Sequence, residues 1–245
     1  MSNQRVAVVT GGGSGIGLAT CRKLAEESFL LAVLDVDGDS AKAAAGSDGL
    51  GVAADVTSPE GVDNAFAAII EMFGRIDVLV NNAGITGNAT ATRCHETPLD
   101  QWDLVQAVNV RGPYLCSRAA LPTMIAQGSG HIITVASVAG QIVFPGRCAY
   151  VASKGAALMF AKSLAVDYAR DGIRSNAVCP GMVHTPMTAW RLDQDDLRAA
   201  IESKIPIGRV AQPEEIADAI AVLASGRLGY MTGAALNIDG GWTAI

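Results

Sequence analysis

Apolar residues in this chain fall in short β-branched runs separated by amphipathic stretches, and the alternation persists along most of its length. Residues 5–10 (RVAVVT), 30–35 (LLAVLD), 50–56 (LGVAADV) and 76–82 (IDVLVNN) read as strands, because continuous runs of Val, Ile and Leu suit strands buried on both faces. Between them the 3.6-residue period predicts helices over about 16–27, 41–45 and 59–73. A helix over about 99–108, leading into another through residue 124, precedes the strand 131–137 (HIITVAS). A long helix over about 149–170 and the strands 173–179 (IRSNAVC) and 235–239 (ALNID) follow. Strands alternating with helices require parallel pairing with helices on both faces. The expected fold is α/β with a seven-stranded parallel sheet, in a single domain over 1–245 with no dividing linker. Residues 182–212, which include Pro186 and Pro206, read as an irregular, partly helical insertion at the carboxyl side of the sheet, where ligands of open α/β folds sit. That location suits a substrate lid; a purely structural excursion is the other reading.

Composition narrows the function classes. Half of the 245 residues are hydrophobic and 17% are charged, enough for a large core. No apolar run approaches the roughly 18 residues of a membrane span, and the opening residues run directly into a strand with no signal-peptide pattern. Five cysteines without CxxC spacing and three histidines give no zinc site or disulfide framework, so no metal is expected and the compartment expected is the cytoplasm. A net charge of −6 without a basic cluster argues against nucleic acid and anionic membranes as partners. A positive mean hydropathy implies apolar surface hidden by self-association.

The first strand runs into Thr10-Gly11-Gly12-Gly13-Ser14-Gly15-Ile16-Gly17 and then a helix. Glycines in such a turn let backbone N–H groups approach a pyrophosphate, and the helix N-terminus adds favourable partial charge. The Gly-x-x-x-Gly-x-Gly spacing departs from G-x-G-x-x-G, but the strand before and the helix after support a dinucleotide site using Gly11, Ser14, Gly15, Ile16 and Gly17. Asp35 closes the second strand, where a carboxylate can bind the adenosine ribose hydroxyls and repel a 2′-phosphate. With no Lys or Arg at 12–14 or 36, NAD is expected over NADP; an aspartate that only caps the next turn is the alternative. Asp55 and Val56 after the third strand are placed for the adenine, and Asn82, Ala83 and Gly84 after the fourth lie at the same sheet edge.

Tyr150 and Lys154 stand four residues apart on the long helix, on one face, with Cβ atoms roughly 5–6 Å apart. An ammonium so near would lower the phenol's pKa and make Tyr150 a general acid/base. Ser137, 13 residues earlier on the loop after its strand, offers a hydroxyl to the same substrate oxygen.

Taken together, TGGGSGIG, NNAG, Asn109 in AVNV, Ser137 in VASVAG, YVASK and the Pro180-Gly181 of CPGMV resemble, in order, the short-chain dehydrogenase/reductase family, over essentially the whole chain. The resemblance implies a Rossmann fold, a catalytic tetrad of Asn109, Ser137, Tyr150 and Lys154, and a homotetramer. It also implies that Lys154 holds the nicotinamide ribose, that Asn109 shapes its helix around a water serving Lys154, and that Pro180, Gly181, Val183, Thr185 and Met187 border the nicotinamide. Thr185 ahead of Pro186 also reads as a helix cap. The function this implies is NAD-dependent interconversion of a secondary alcohol and a ketone. A carrier-protein ketoacyl reductase would want NADPH and a basic docking patch, and a non-catalytic nucleotide sensor would be expected to have lost Tyr150 or Lys154.

Arg147, three residues before Tyr150, and Arg191, in the lid, form the candidate substrate subsite, since paired guanidinium groups suit a sulfonate, carboxylate or phosphate. The stretches around them resemble family members that oxidise a secondary alcohol with a sulfonate tail. Against this, Asp193, Asp195 and Asp196 lie close to Arg191 in sequence and offer it an exposed ion pair, and Arg147 can equally support its loop. Phe144, Trp190 and Trp242 line an apolar pocket on one reading and pack in the core or an interface on the other. His95 and His184 fall near the site with no required role.

Overall fold

Asp77 and the backbone of Val6 open the fold at the amino edge of the sheet: the Asp77 carboxylate accepts the Val6 N–H at 2.8 Å and is itself held by Arg75. The computed structural model describes residues 4–245. Seven parallel strands, β1 (Val6–Thr10), β2 (Leu30–Asp35), β3 (Leu50–Ala53), β4 (Val78–Asn81), β5 (Gly130–Val135), β6 (Ile173–Pro180) and β7 (Ala235–Ile238), lie in the order β3-β2-β1-β4-β5-β6-β7. The order reverses direction at β1 and β4, which leaves a crevice at their carboxyl ends. The Rossmann-type sheet expected from the sequence is therefore present. β3 stops short of the expected strand: the Ala54 N–H makes the last bond to β2, on the Asp35 carbonyl, and Asp55 then caps a turn at Thr57 N.

Helices cover both faces. On one side, α1 (Gly15–Glu26), α2 (Gly38–Ala45) and α9 (Pro213–Ala224) bury Cys21, Leu24, Ile216 and Ile220 against the alternate residues Ala7, Val9 and Val33. On the other, α3 (Pro59–Phe73) and α5 (Gly112–Gln127), together with the long α6 (Cys148–Tyr168), bury Phe66, Ile69, Met124 and Leu164 against Val8, Leu34 and Leu79. This is the both-faces burial that continuous apolar strands demand. The boundaries of α3 follow its sequence: Ser58 Oγ accepts the Gly61 N–H at 3.1 Å, Pro59 opens the first turn, and Gly74 ends the helix with φ +70°.

One element differs from expectation, and the 182–212 segment is partly helical as expected. Between α4 (Leu99–Gln106) and α5, residues Ala107–Arg111 form a π-helical turn centred on Asn109, a local widening common near functional sites. The 182–212 segment contains two short helices, α7 (Pro186–Leu192) and α8 (Asp195–Glu202). They fold over a small cluster of Leu192, Ile205 and Val210. Among the described residues no helix is long and apolar enough to cross a membrane, and no group of three or more metal-ligating side chains occurs.

Candidate active site

A cleft of about 360 Å³ runs along the carboxyl ends of the strands and brings most of the predicted site together. Gly11, Ser14, Gly15 and Ile16 line it from the first turn, Asp35, Asp55 and Val56 from the ends of β2 and β3, and Asn82, Ala83 and Gly84 from the end of β4. Ser137, Tyr150 and Lys154 come from β5 and α6, and Pro180, Gly181, Val183, Thr185 and Met187 complete the wall after β6. Val36, Ile85, Val108 and Thr188 also line the cleft. Val36 was legible as the neighbour of Asp35; Val108 and Thr188 depend on how the π turn and the lid fold back, which no local pattern records.

Local geometry explains the glycine turn. Gly11 and Gly15 adopt φ of +62° and +50°, the left-handed region, and a Cβ on Gly11 would meet the Ala83 backbone. Gly17, part of the expected cofactor set, is not among the residues lining the cleft, and a Cβ there would collide with the Gly11 carbonyl, so it seats α1 against the turn. Asp35 Oδ2 accepts the Gly13 N–H at 2.8 Å while Oδ1 accepts Asp37 N–H at 3.1 Å. Asp35 thus pins the glycine turn and also fronts the cleft. Thr10 Oγ1 accepts both Asn82 N–H and Ala83 N–H, and Asn82 Nδ2 donates to the Gly11 carbonyl at 2.9 Å. Ser14 caps α1 with no side-chain cap bond, leaving its hydroxyl for an anion at the helix N-terminus. Thr185 precedes the first turn of α7 and donates its N–H to Thr188 Oγ1 at 3.0 Å, while its side chain borders the cleft near Gly15.

These residues fit a dinucleotide. The glycine turn at the N-terminus of α1 lines the cleft with positive φ at Gly11 and Gly15, and the Asp35 carboxylate lines it one strand away.

At the catalytic end the structure rearranges the expected roles. Lys154 is 6% exposed and donates Nζ to the Val135 carbonyl at 2.9 Å, while its Nζ lies 5.8 Å from the Tyr150 ring centroid. Burial lowers the Lys154 ammonium to about 8, with Cys179 opposing. The Tyr150 phenol is raised by burial, with Ser137 opposing the rise. The expectation that Lys154 lowers the Tyr150 pKa is therefore corrected: here desolvation dominates. Ser137 Oγ accepts Ala139 N–H at 3.0 Å at the mouth of a short 3₁₀ turn.

Asn109 is buried behind the cleft. Its side chain accepts Ile85 N–H and donates to Ile85 O, both at 2.8 Å, and Nδ2 also meets Ser153 Oγ at 2.9 Å. Ser153 Oγ in turn donates to the Tyr150 carbonyl at 2.7 Å. The π turn thereby ties the loop after β4 to the helix carrying Tyr150.

Arg147 lines a second cavity beside the cleft with Met187, Trp190 and Leu104. The Arg191 guanidinium lies 4.8 Å and that of Arg147 5.9 Å from the Trp190 ring centroid. Partial burial, and next the charge of Arg147, pulls Arg191 below the ordinary arginine range. Among the described residues neither guanidinium forms a carboxylate ion pair. The nearby aspartates, the alternative partners for Arg191, do not pair with it, and Asp193 meets His184 Nε2 at 2.9 Å. Trp242 packs on Phe144, ring centroids 5.2 Å apart. His95 lies exposed beside Glu96 and outside the cleft.

A switch-point crevice, a glycine cradle and a tyrosine-lysine helix at the same sheet edge define a dinucleotide-dependent Rossmann-type enzyme. A family model described as enoyl-(acyl carrier protein) reductase matches residues 11–243. The chain is 50% identical over 248 residues to 2-(R)-hydroxypropyl-CoM dehydrogenase of Xanthobacter autotrophicus, covering 98% of this chain and 99% of that one. It is 42% identical over 247 residues to cis-4-hydroxycyclohexanecarboxylate dehydrogenase of Sinomonas cyclohexanicum, covering 99% and 98%. An actinorhodin polyketide ketoreductase variant solved with NADPH superposes with a TM-score of 0.93 at 33% identity, covering 99% of this chain and 98% of that one. The chain belongs to the short-chain dehydrogenase/reductase family and is an oxidoreductase that uses a nicotinamide cofactor.

Proposed function

We propose that this protein is an NAD-dependent dehydrogenase that interconverts a secondary alcohol and a ketone on a substrate with an anionic tail, 2-(R)-hydroxypropyl-coenzyme M being the leading candidate. The observation that carries the reading is the pair Arg147 and Arg191, both set against Trp190 and without carboxylate partners. Arg191 is pulled below its ordinary range by partial burial and next by the charge of Arg147, a cost that an anion would relieve. The 50% identical relative named for a sulfonate-bearing alcohol supports the same tail.

The bound nicotinamide supplies the hydride acceptor and donor. Tyr150 as the phenol, the form that burial favours, gives its proton to the ketone oxygen, and in the reverse direction the phenolate takes the proton from the alcohol. Ser137 hydrogen-bonds the same oxygen as charge develops. Lys154, now on the Val135 carbonyl, would hold the nicotinamide ribose when the cofactor is bound, and Asn109 holds the frame. Asp35, next to an exposed Val36 with no cation beside it, supports NAD over NADP. Residues 182–212 act as the substrate lid of one catalytic domain. Exposed Met159 and Val166 on α6 support a homotetramer, and five free cysteines support the cytoplasm.

The test is kcat/KM with NAD for a sulfonate-tailed secondary alcohol and for its uncharged analogue of equal length. A preference of about a hundredfold, falling at least about tenfold in Arg147→Ala and in Arg191→Ala, is expected. Equal rates on both alcohols would return the arginines to structural duty and leave the oxidoreductase standing.

A further inference from the structure

The two walls of the substrate cleft come from segments far apart in sequence. The loop between β5 and α6 carries Arg147, and the lid carries Arg191. Neither wall is strongly built on its own. α7 buries only Leu192, α8 buries no residue fully, and the lid rests on the small cluster of Leu192, Ile205 and Val210. In the loop, Val143 is exposed and Gly146 takes φ +68°.

Trp242 meets both walls. Its ring packs on the lid cluster, and it also lies 5.2 Å, centroid to centroid, from Phe144 in the middle of the loop. The turn that bears it is fixed by Asp239, which accepts Gly241 N–H at 2.9 Å, Thr243 N–H at 2.8 Å and Thr243 Oγ1 at 2.7 Å. A second tie runs beside it. Gln141 Nε2 donates to Asn237 Oδ1 at 2.6 Å, and Asn237 Nδ2 donates back to Gln141 Oε1 at 3.1 Å. The end of the chain is therefore anchored to the sheet through β7, and from there it reaches the loop by an amide pair and an aromatic contact. An anchored indole between two thinly packed walls transmits displacement of one to the other.

We propose that Trp242 is a positioning residue that keeps the lid and the β5–α6 loop in register, and so sets where Arg191 and Arg147 stand relative to each other. It does not itself line the cleft. The registration stands on packing alone, while its effect on an anionic substrate rests on the proposed function above.

Hydrogen exchange and kinetics on the full-length Trp242→Ala and Trp242→Phe proteins test this. In Trp242→Ala, exchange in 141–147 and in 186–192 is expected to quicken together by about tenfold, with Trp242→Phe restoring most of the protection. KM for the sulfonate-tailed alcohol should rise about tenfold with kcat little changed, while kcat/KM for the neutral analogue and cofactor affinity stay within about twofold. Faster exchange in one segment only, or in neither, would overturn the coupling. If Trp242→Ala does not fold, Phe144→Ala decides: coupling requires the lid to exchange faster although the substitution lies in the loop, and an unaffected lid refutes it. Should the parent enzyme show no preference for the sulfonate, the anion reading fails while the exchange data still judge Trp242.

Discussion

Lys154 donates its ammonium to the Val135 carbonyl at 2.9 Å, at the end of β5, and so sits one strand-end away from the cofactor's expected ribose with its charge already committed. Burial holds it at about 8, close to working pH. If the protonated amine is what receives the ribose, kcat/KM for the cofactor, which reports free-enzyme groups, should fall as pH rises through about 8. The sign follows from the cation being lost above that value. A profile flat to about pH 10 would take Lys154 out of cofactor binding.

Tyr150→Phe removes the one hydroxyl placed to move the substrate proton and little of the cofactor surface. Turnover should fall by roughly a hundred- to ten-thousandfold. Cofactor affinity, read by fluorescence titration, should change less than about threefold. Turnover retained within tenfold of the parent would assign the proton to another group.

Asp35 has two tasks that substitution can separate. It accepts the Gly13 N–H of the glycine turn and lines the cleft, where on the proposed function its charge would face the adenosine ribose. Asp35→Ser keeps a short acceptor and removes the charge, and should cut the NAD over NADP ratio in kcat/KM by roughly ten- to a hundredfold. Unchanged discrimination with a lowered melting temperature would mean that Asp35 serves the turn alone.

Much of this was legible in the sequence because it is local or periodic. β2 and α3 begin and end where the apolar runs and the Ser58-Pro59 and Gly74 signals place them. The glycine turn, Asp35, Ser137 and the Tyr150-Lys154 pair assemble because each closes a parallel strand or sits on the helix beside one, so the topology alone gathers them. What escaped is long-range. Lys154 was read by its helical neighbour, but its rotamer is chosen by a carbonyl on another element and by desolvation. Gly17 looks like a phosphate contact by spacing, and its tight packing against the Gly11 carbonyl shows only in three dimensions. The Trp242–Phe144 contact joins residues nearly a hundred apart, and depends on where β7 docks, which no periodicity encodes.

His131 predicts an acid limit to stability that has nothing to do with the cleft. It lies on β5, 2% exposed, with Nδ1 3.1 Å from the Leu223 carbonyl and Nε2 2.9 Å from Asn176 Nδ2. The network assigns the proton to Nδ1, because Nε2 must accept from an amide that also donates to the Met231 carbonyl. Rotating that amide would sacrifice the Ala234 N–H bond to Asn176 Oδ1. A second ring proton therefore meets a donor, with Arg174 adding repulsion. Burial first, then Arg174, lowers the imidazole from 6.5 to about 3. A depressed histidine is neutral when folded and charged when unfolded, so the unfolded chain binds more protons between those values. Stability is fully present above about 6.5 and is lost as pH falls toward 3, by up to about 1.4 kcal/mol per pH unit from this group. Urea midpoints measured from pH 7 to pH 4 should fall with that added slope, and His131→Asn, which cannot take up the proton, should show a shallower decline from a lower starting stability. Parallel slopes in the two proteins would assign the acid sensitivity to the carboxylates instead.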